Sequence, residues 1–532
     1  MILFLLLTIT LDTLRYPFAA GVLEFPHDEG AHYADTVTSE WWYINMDLIS
    51  SDGDSFGVML THFRKPAIAR IFNISTRDSF YSNVNIFGSL IADTGHTYLV
   101  YRNLYGTVVD TNKWTYPETG IPFSYYVKVH DNQIGVSCSL YLRAFDYPFA
   151  IDSTGVVLLG DSSNISYYYA IPFLNVNGEL TIGSETHTIS GLAWIDRQWG
   201  PFYVTPEGGY EWFSTVINQN RNWVGIQIWN LFSGDSVPQS PAFRHLNLFV
   251  HSPDTSLQIY TSNFSIERLG YIYDPVSQKY FSRGWRVVWQ NGRDLVFYET
   301  FPEIENQITT FIRSRFYEGI TWISRGFIRI GNAVLINEIE RGYGFAELVQ
   351  KYNQSIIPPE PPDFIGFIHE PTPDSIRAVW HPSVEGTYHV AGYRVYLLDP
   401  NNLNTIIGCQ TVEDTFIILP ADSQIAIMLS AFDSASAVNG SDLAGPFVFT
   451  GIQESSPNFY PLETIILPAG VKILIHTPGV WEAQILQPDG RTVDKINGEG
   501  EAEFKVNLEP GVYFVIFKNN SIRKTSRFVV VR

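Results

Sequence analysis

The sequence predicts an all-β protein in which barrels come first and small sandwiches follow. Aromatic residues make up 15% of the chain, with 36 Phe, 30 Tyr and 13 Trp, and aromatic and β-branched side chains suit the pleated, half-buried surface of a sheet. Short alternating runs recur between Asn, Asp, Gly and Ser turns, as in Phe56–Leu60, Tyr98–Tyr101, Val156–Leu159, Trp223–Trp229 and Phe327–Ile330. That spacing is the mark of sandwiches and barrels. Long stretches with helical spacing are hard to find.

The 532 residues are enough for several domains. Lys and Arg number 34 against 54 Asp and Glu, a formal charge of −20. This argues against nucleic acid or an anionic membrane surface as partner, since both select basic patches. At 17% charged residues the chain is no charge-rich disordered protein. Its two cysteines, Cys138 and Cys409, fall in different predicted domains, so neither a disulfide framework nor a thiolate metal site is expected.

The chain opens with the uncharged, mostly apolar run Met1–Leu11. It is too short to span a bilayer and matches the apolar core of a secretory signal peptide over residues 1–20, with Tyr16–Ala20 before a cleavage point. No Lys or Arg precedes the run, and a first buried strand is the competing reading. Export to the periplasm, cell surface or medium is the expectation. No later segment is long and apolar enough to cross a membrane.

Pro358-Pro-Glu-Pro-Pro362 stiffens a linker over 353–362 and cannot lie in a sheet interior. Beyond it, residues 363–452 resemble a fibronectin type III domain, with Trp380 at the early core position and strands at Tyr393–Tyr396 and Ile425–Ala431. Ile425 stands where that family places a tyrosine. Such domains space or bind. Residues 453–532 form a last small β-sandwich ending in a hairpin from Glu509–Phe517 to Arg527–Arg532. Its tail resembles the C-terminal sorting domain of type IX secretion, which implies contact with a secretion machinery or the cell surface; an ordinary small sandwich is the alternative.

Chemistry is concentrated in two clusters. The first is Phe25-Pro-His-Asp-Glu-Gly-Ala-His32 followed by Ser39-Glu-Trp-Trp-Tyr43; the second is Ser166-Tyr-Tyr-Tyr-Ala170 followed by Gly191-Leu-Ala-Trp-Ile-Asp-Arg-Gln-Trp-Gly200. Together they resemble the AttH and carotenoid 1,2-hydratase (hydroxyneurosporene synthase) family, whose members show "FPxDxGxH…EWWY" and "GxAWxDHEWG". Tyr317-Glu-Gly319 resembles its "YWEG". The resemblance implies two consecutive lipocalin-like barrels, over 21–200 and 201–352. A small barrel of this kind, usually eight-stranded, encloses one apolar ligand.

Neighbours in a strand point to opposite faces. Glu40 and Trp42 therefore share a face, as do Trp41 and Tyr43. Trp194, Asp196 and Gln198 share another, with Ile195, Arg197 and Trp199 opposite. An inward Glu40 among aromatics would have a raised pKa and serve as a general acid; alternatively it pairs with an Arg and closes the barrel end. The resemblance aligns Trp194 and Asp196 with the hydratases' aromatic-x-Asp pair, whose Asp protonates a terminal alkene, and Tyr167 and Tyr169 with a His-x-Trp pair. Protonation gives a tertiary carbocation that aromatic faces stabilise, and water then adds. Two departures bear on this: the family's His and Glu are here Arg197 and Gln198. Arg197 has Glu40 and Asp196 as candidate partners, and such pairing would keep the Asp ionised and useless as an acid.

His27 and His32 flank Asp28 and Glu29 without a recognised zinc spacing, so no metal is expected. No cofactor is expected either. Serine-hydrolase elbows, P-loops and dinucleotide fingerprints are missing. The sequence thus predicts an exported protein binding an apolar, lipid- or isoprenoid-like molecule through Glu40, Trp42, Tyr167, Tyr169 and Trp194. The alternative is a hydratase or isomerase on the same scaffold, with Asp196, Trp194, Tyr167 and Tyr169 catalytic. A third reading makes the chain a surface adhesion protein.

Overall fold

The computed structural model describes residues 14–530 with interruptions; those longer than four residues are 104–111, 116–120, 204–208, 301–307, 351–355 and 450–462. Side chains over 289–341 lie outside the description, as does the apolar start, residues 1–13. Among the described residues there is no α-helix; His27–Glu29 and Ile151–Ser153 are single 3-10 turns. The chain is all-β, as its alternating aromatic runs predict.

Among the described residues the first sheet has 13 strands. Its ladder runs from Val136–Ala144 through Ser124–Asp131, Asn112–Thr115, Tyr98–Asn103, Ile86–Ala92, Ile68–Ser75, Ser55–Lys65, Ser39–Ser50 and Glu185–Gly200 to Ile165–Ile182. That strand pairs back onto Val136–Ala144, so the barrel closes. Among the described residues the closed ladder has ten strands, more than the eight-stranded form expected, and three short strands pair onto it. Ile44, Met46, Val58, Leu60, Val127 and Leu140 fill its interior.

The second sheet passes through Thr255–Thr261, Arg244–Ser252, Asn222–Leu231, Gly209–Gln219, Arg341–Gln350 and Ser314–Ile330. It continues by Arg293–Thr300 and Lys279–Trp289 to Phe264–Asp274. Its ladder curls without closing among the described residues, around Phe213, Ile217, Ile226 and Trp285. A separate cluster lies between the two sheets: Trp41, Tyr43, Phe173 and Trp194 from the first meet Trp212, Trp229, Phe249 and Phe345 from the second. Strands at this seam are buried on both faces, because one face looks into a barrel and the other into the seam.

Residues 363–449 make a two-layer sandwich, Asp363–His369, Ser375–His381 and Phe416–Pro420 against Val390–Asp399, Asn402–Val412, Ile425–Asp433 and Ala444–Phe449. Trp380 is in its core. This layer is fastened to the second sheet. Arg394 pairs with buried Glu267, Tyr271 Oη donates to Asn439 Oδ1 at 3.0 Å, and Leu269 packs with Tyr396, Leu398 and Met428. Residues 1–451 accordingly pack as one unit and 452–532 as another. The second unit has its own core around Trp481, Val515 and Phe517, and its terminal hairpin pairs Gly511–Asn519 with Arg523–Val530.

Candidate functional site

The strand Glu185–Gly200 lies between Ser39–Ser50 and Ile165–Ile182 and divides the chemistry between its two faces. Register pairs Ala170 with Asp196 and Tyr169 with Arg197. With alternation, Tyr168 joins the Asp196 face and Tyr167 and Tyr169 join the Arg197 face. The Asp196 face looks into the seam; the Arg197 face looks into the first barrel.

In the seam, Asp196 is 3% exposed. Its Oδ1 accepts the Trp194 indole N–H at 2.8 Å and its Oδ2 accepts the Tyr168 hydroxyl at 2.5 Å. Tyr168 Oη in turn accepts from Trp212 Nε1 at 3.0 Å and Gln227 Nε2 at 3.4 Å. Both of those donors belong to the second sheet, so the site is assembled from two sheets. Burial pushes the Asp196 carboxyl up to about 7, against the two hydrogen bonds, and the charge of Glu347 adds to the rise. Glu347 accepts the Tyr210 hydroxyl at 3.1 Å and stands across from Trp212 in register. No cation is bonded to Asp196 among the described residues. Tyr168 packs edge-on against Trp229, whose buried indole N–H has no hydrogen-bond partner among the described residues. Gly225 lets the second sheet come close: a Cβ there would lie 3.2 Å from Trp194 Cζ3.

On the barrel face the predicted residues are held differently. Glu40 is fully buried. Arg197 Nη2 donates to its Oε1 at 2.5 Å, and Arg64 Nε donates to its Oε2. The backbone N–H of His32 also donates to Oε1, at 2.9 Å. Burial alone would raise this carboxyl, but the Arg197 charge and the His32, Arg64 and Arg197 hydrogen bonds hold it at about 2. The raised pKa expected of an inward Glu40 is therefore replaced by a lowered one. Arg197 spends its charge on Glu40 and stacks over Trp42, 3.9 Å from the ring centre. Tyr169 lies against Phe25 and Trp199. Tyr167 is 38% exposed and stacks on Trp199. Of the six residues singled out from the sequence, Trp194 and Asp196 thus meet in the seam, while Glu40, Trp42, Tyr167 and Tyr169 belong to the other face.

Sequence reasoning passed over Tyr168, Trp212, Gln227 and Glu347. Tyr168 was within reach only through the register, because three consecutive tyrosines give no parity. It also passed over Glu29, which is fully buried inside the first barrel. Tyr16 Oη donates to its Oε2 at 2.5 Å and Tyr125 Oη donates to its Oε1. Burial pushes the Glu29 carboxyl up to about 7 against those bonds. Beside it, ligand atoms of His27, Asp28 and His32 converge to within 4.8 Å of one another.

The AttH-like family model matches residues 17–351. Three solved structures are similar to this chain. A candidate AttH protein from Nitrosomonas europaea aligns over 64% of this chain and 99% of its own, at 18% identity and a TM-score of 0.45. Kievitone hydratase from Nectria haematococca aligns over 63% and 98%, at 14% identity and a TM-score of 0.44. CghA with Sch210972 aligns over 64% and 96%, at 12% identity and a TM-score of 0.44. No curated protein matches the chain in sequence. The family model takes in both aromatic signatures and both large sheets, well over half of the sequence, and on that match the chain belongs to the AttH-like family.

Proposed function

We propose that this protein binds an apolar, unsaturated, isoprenoid- or lipid-like molecule at the aromatic seam between its two sheets and protonates it there. Asp196 is the acid. The observation that carries this reading is the setting of Asp196: buried beside Trp194 and Tyr168, with Arg197 turned to Glu40 on the opposite face. A carboxyl in such a place keeps its proton near neutrality and can donate it.

The step balances simply. The π pair of a trisubstituted alkene takes the carboxyl proton, a C–H bond forms, and a tertiary cation and a carboxylate remain. In this reading the rings of Trp194, Trp212, Trp229 and Tyr168 would stabilise that cation. Water adding to it and returning a proton to Asp196 completes a hydration. Loss of a neighbouring proton completes an isomerisation.

The test is incubation of the full chain with polyprenyl alkenes and acyclic carotenoids in D2O, followed by mass spectrometry of the extract. Deuterium at carbon in the wild type, lost in Asp196→Asn, supports the reading. A second reading, a carrier, draws on one observation: both Asp196 oxygens already accept protein hydrogen bonds, as in a group that only orients a ligand. Tight binding with no deuterium in any compound would decide for the carrier.

Export belongs to the same proposal. The apolar start and the terminal hairpin support it, with residues 363–449 as a fibronectin-type spacer and 453–532 as a sorting domain. Deleting 511–532 should leave the protein in the cell; unchanged release would remove the sorting role.

A further inference from the structure

Beyond the acid site, we propose that His27, Asp28 and His32 form a binding site for one first-row divalent cation, with zinc the best fit. The site lies on the Arg197 side of the strand Glu185–Gly200, away from Asp196, and is independent of the acid chemistry.

The geometry is that of a three-ligand centre. His27 Nδ1 lies 3.0 Å and His32 Nε2 3.1 Å from the same oxygen, Asp28 Oδ1. An ion with Zn–N and Zn–O bonds of about 2.0–2.2 Å needs its ligand atoms roughly 3.3 Å apart in a tetrahedron. The two imidazole nitrogens lie within 4.8 Å of one another, so the exposed His27 ring would swing in by up to about 1.5 Å to complete a tetrahedral set. Two imidazoles with a carboxylate suit zinc, whereas calcium and magnesium take oxygen ligands and are poorly served by imidazole nitrogen.

The surrounding contacts hold two of the ligands in place before any ion arrives. Asp28 Oδ2 accepts the Glu24 backbone N–H at 2.7 Å, which aims Oδ1 at the imidazoles. His32 Nδ1 lies 3.2 Å from Glu40 Oε1. This is the carboxylate–histidine–metal arrangement, in which the second ring nitrogen donates to a carboxylate and fixes the tautomer. The His32 ring also stacks on Trp199, 4.1 Å away and nearly parallel. Arg197 Nη2 approaches His32 Nδ1 to 3.3 Å while donating to the same Glu40 oxygen, so the outer carboxylate is already neutralised. Its charge therefore leaves the metal site to Asp28.

The third ligand belongs to this chain. In "FPxDxGxH" the signature supplies Asp28 and His32, and His27 occupies an unspecified position. Its side chain is 67% exposed and, among the described residues, bonds to Asp28. A centre with three protein ligands keeps a coordination position for water or for an anionic group of an incoming molecule.

The test uses the full chain, stripped with chelator and titrated with zinc chloride by calorimetry, and then with cobalt(II) read by its visible spectrum. The account expects one zinc per chain and a cobalt spectrum of low coordination number. His27→Ala, at an exposed position, should leave the fold intact and weaken zinc binding roughly tenfold or more; Asp28→Asn should weaken it further. No stoichiometric zinc in the wild type overturns the site. So does a His27→Ala variant that binds as the wild type does.

Discussion

Tyr168 donates a 2.5 Å hydrogen bond to Asp196, while the tyrosines on either side of it, Tyr167 and Tyr169, project from the opposite face of the same strand. The acid in the seam is thus tied to the second sheet, because Tyr168 is itself held by Trp212 and Gln227. A ligand wedged between the sheets would act on this chain directly.

Tyr168→Phe should separate from Tyr169→Phe. The first removes a bond that lowers the Asp196 pKa, so Asp196 should titrate higher. It also leaves the Trp212 and Gln227 donors unpaired, at a cost of about 1–3 kcal/mol. The second leaves the seam untouched, and the titration of Asp196 should not move. Urea unfolding and a carboxyl titration of both variants check this.

Stability should fall as pH rises from about 4 to about 7. Asp196 and Glu29 have folded pKa values raised from 3.8 and 4.5 to about 7. Each binds its proton more tightly when folded, so its stabilisation is complete below the unfolded value and gone above about 7. Unfolding midpoints at about pH 5 and pH 8 should differ less in Glu29→Gln and Asp196→Asn than in the wild type.

Glu40 acts in the opposite sense. Its folded pKa falls from 4.5 to about 2, so its contribution is present above about 4.5 and is lost as pH drops toward 2. Glu40→Ala leaves Arg197 and Arg64 buried without their shared carboxylate. That should cost about 3–5 kcal/mol, and much less at strongly acid pH. Equilibrium unfolding at neutral and acid pH measures both.

The sandwich of residues 363–449 should support the second sheet rather than hang from a linker. Arg394→Ala removes one of the two arginines on buried Glu267, leaving Arg286 Nη1 at 3.4 Å, and should destabilise the 1–451 unit by less than the ~3–5 kcal/mol of a fully unpaired buried charge. Limited proteolysis within the Pro-rich segment should release an N-terminal piece of lowered melting temperature. An unchanged melting temperature would make the contact ornamental.

The aromatic content and short alternating runs made the all-β class readable from sequence, and the two signatures made the family readable. Alternation also sorted side chains correctly within a strand: Trp194 with Asp196, and Arg197 with Trp199. Which face met which space was another matter. In Ser39–Ser50 both faces are buried, so hydrophobicity carries no parity there. Residues 166–170 posed the same difficulty, and only the pairing of Ala170 with Asp196 assigns Tyr168 to the seam. The contribution of Trp212, Gln227 and Glu347 depends on two sheets meeting, which no local pattern records. The partner of Arg197 was likewise open between Glu40 and Asp196 until its reach was known.

The most direct measurement is the ionisation of Asp196 itself. Infrared difference spectra recorded across pH, with the band assigned by its disappearance in Asp196→Asn, follow that one carboxyl. The account predicts a protonated carboxyl persisting to about pH 7. Ionisation complete near the ordinary value of 3.8 would contradict the claim that the seam holds an acid.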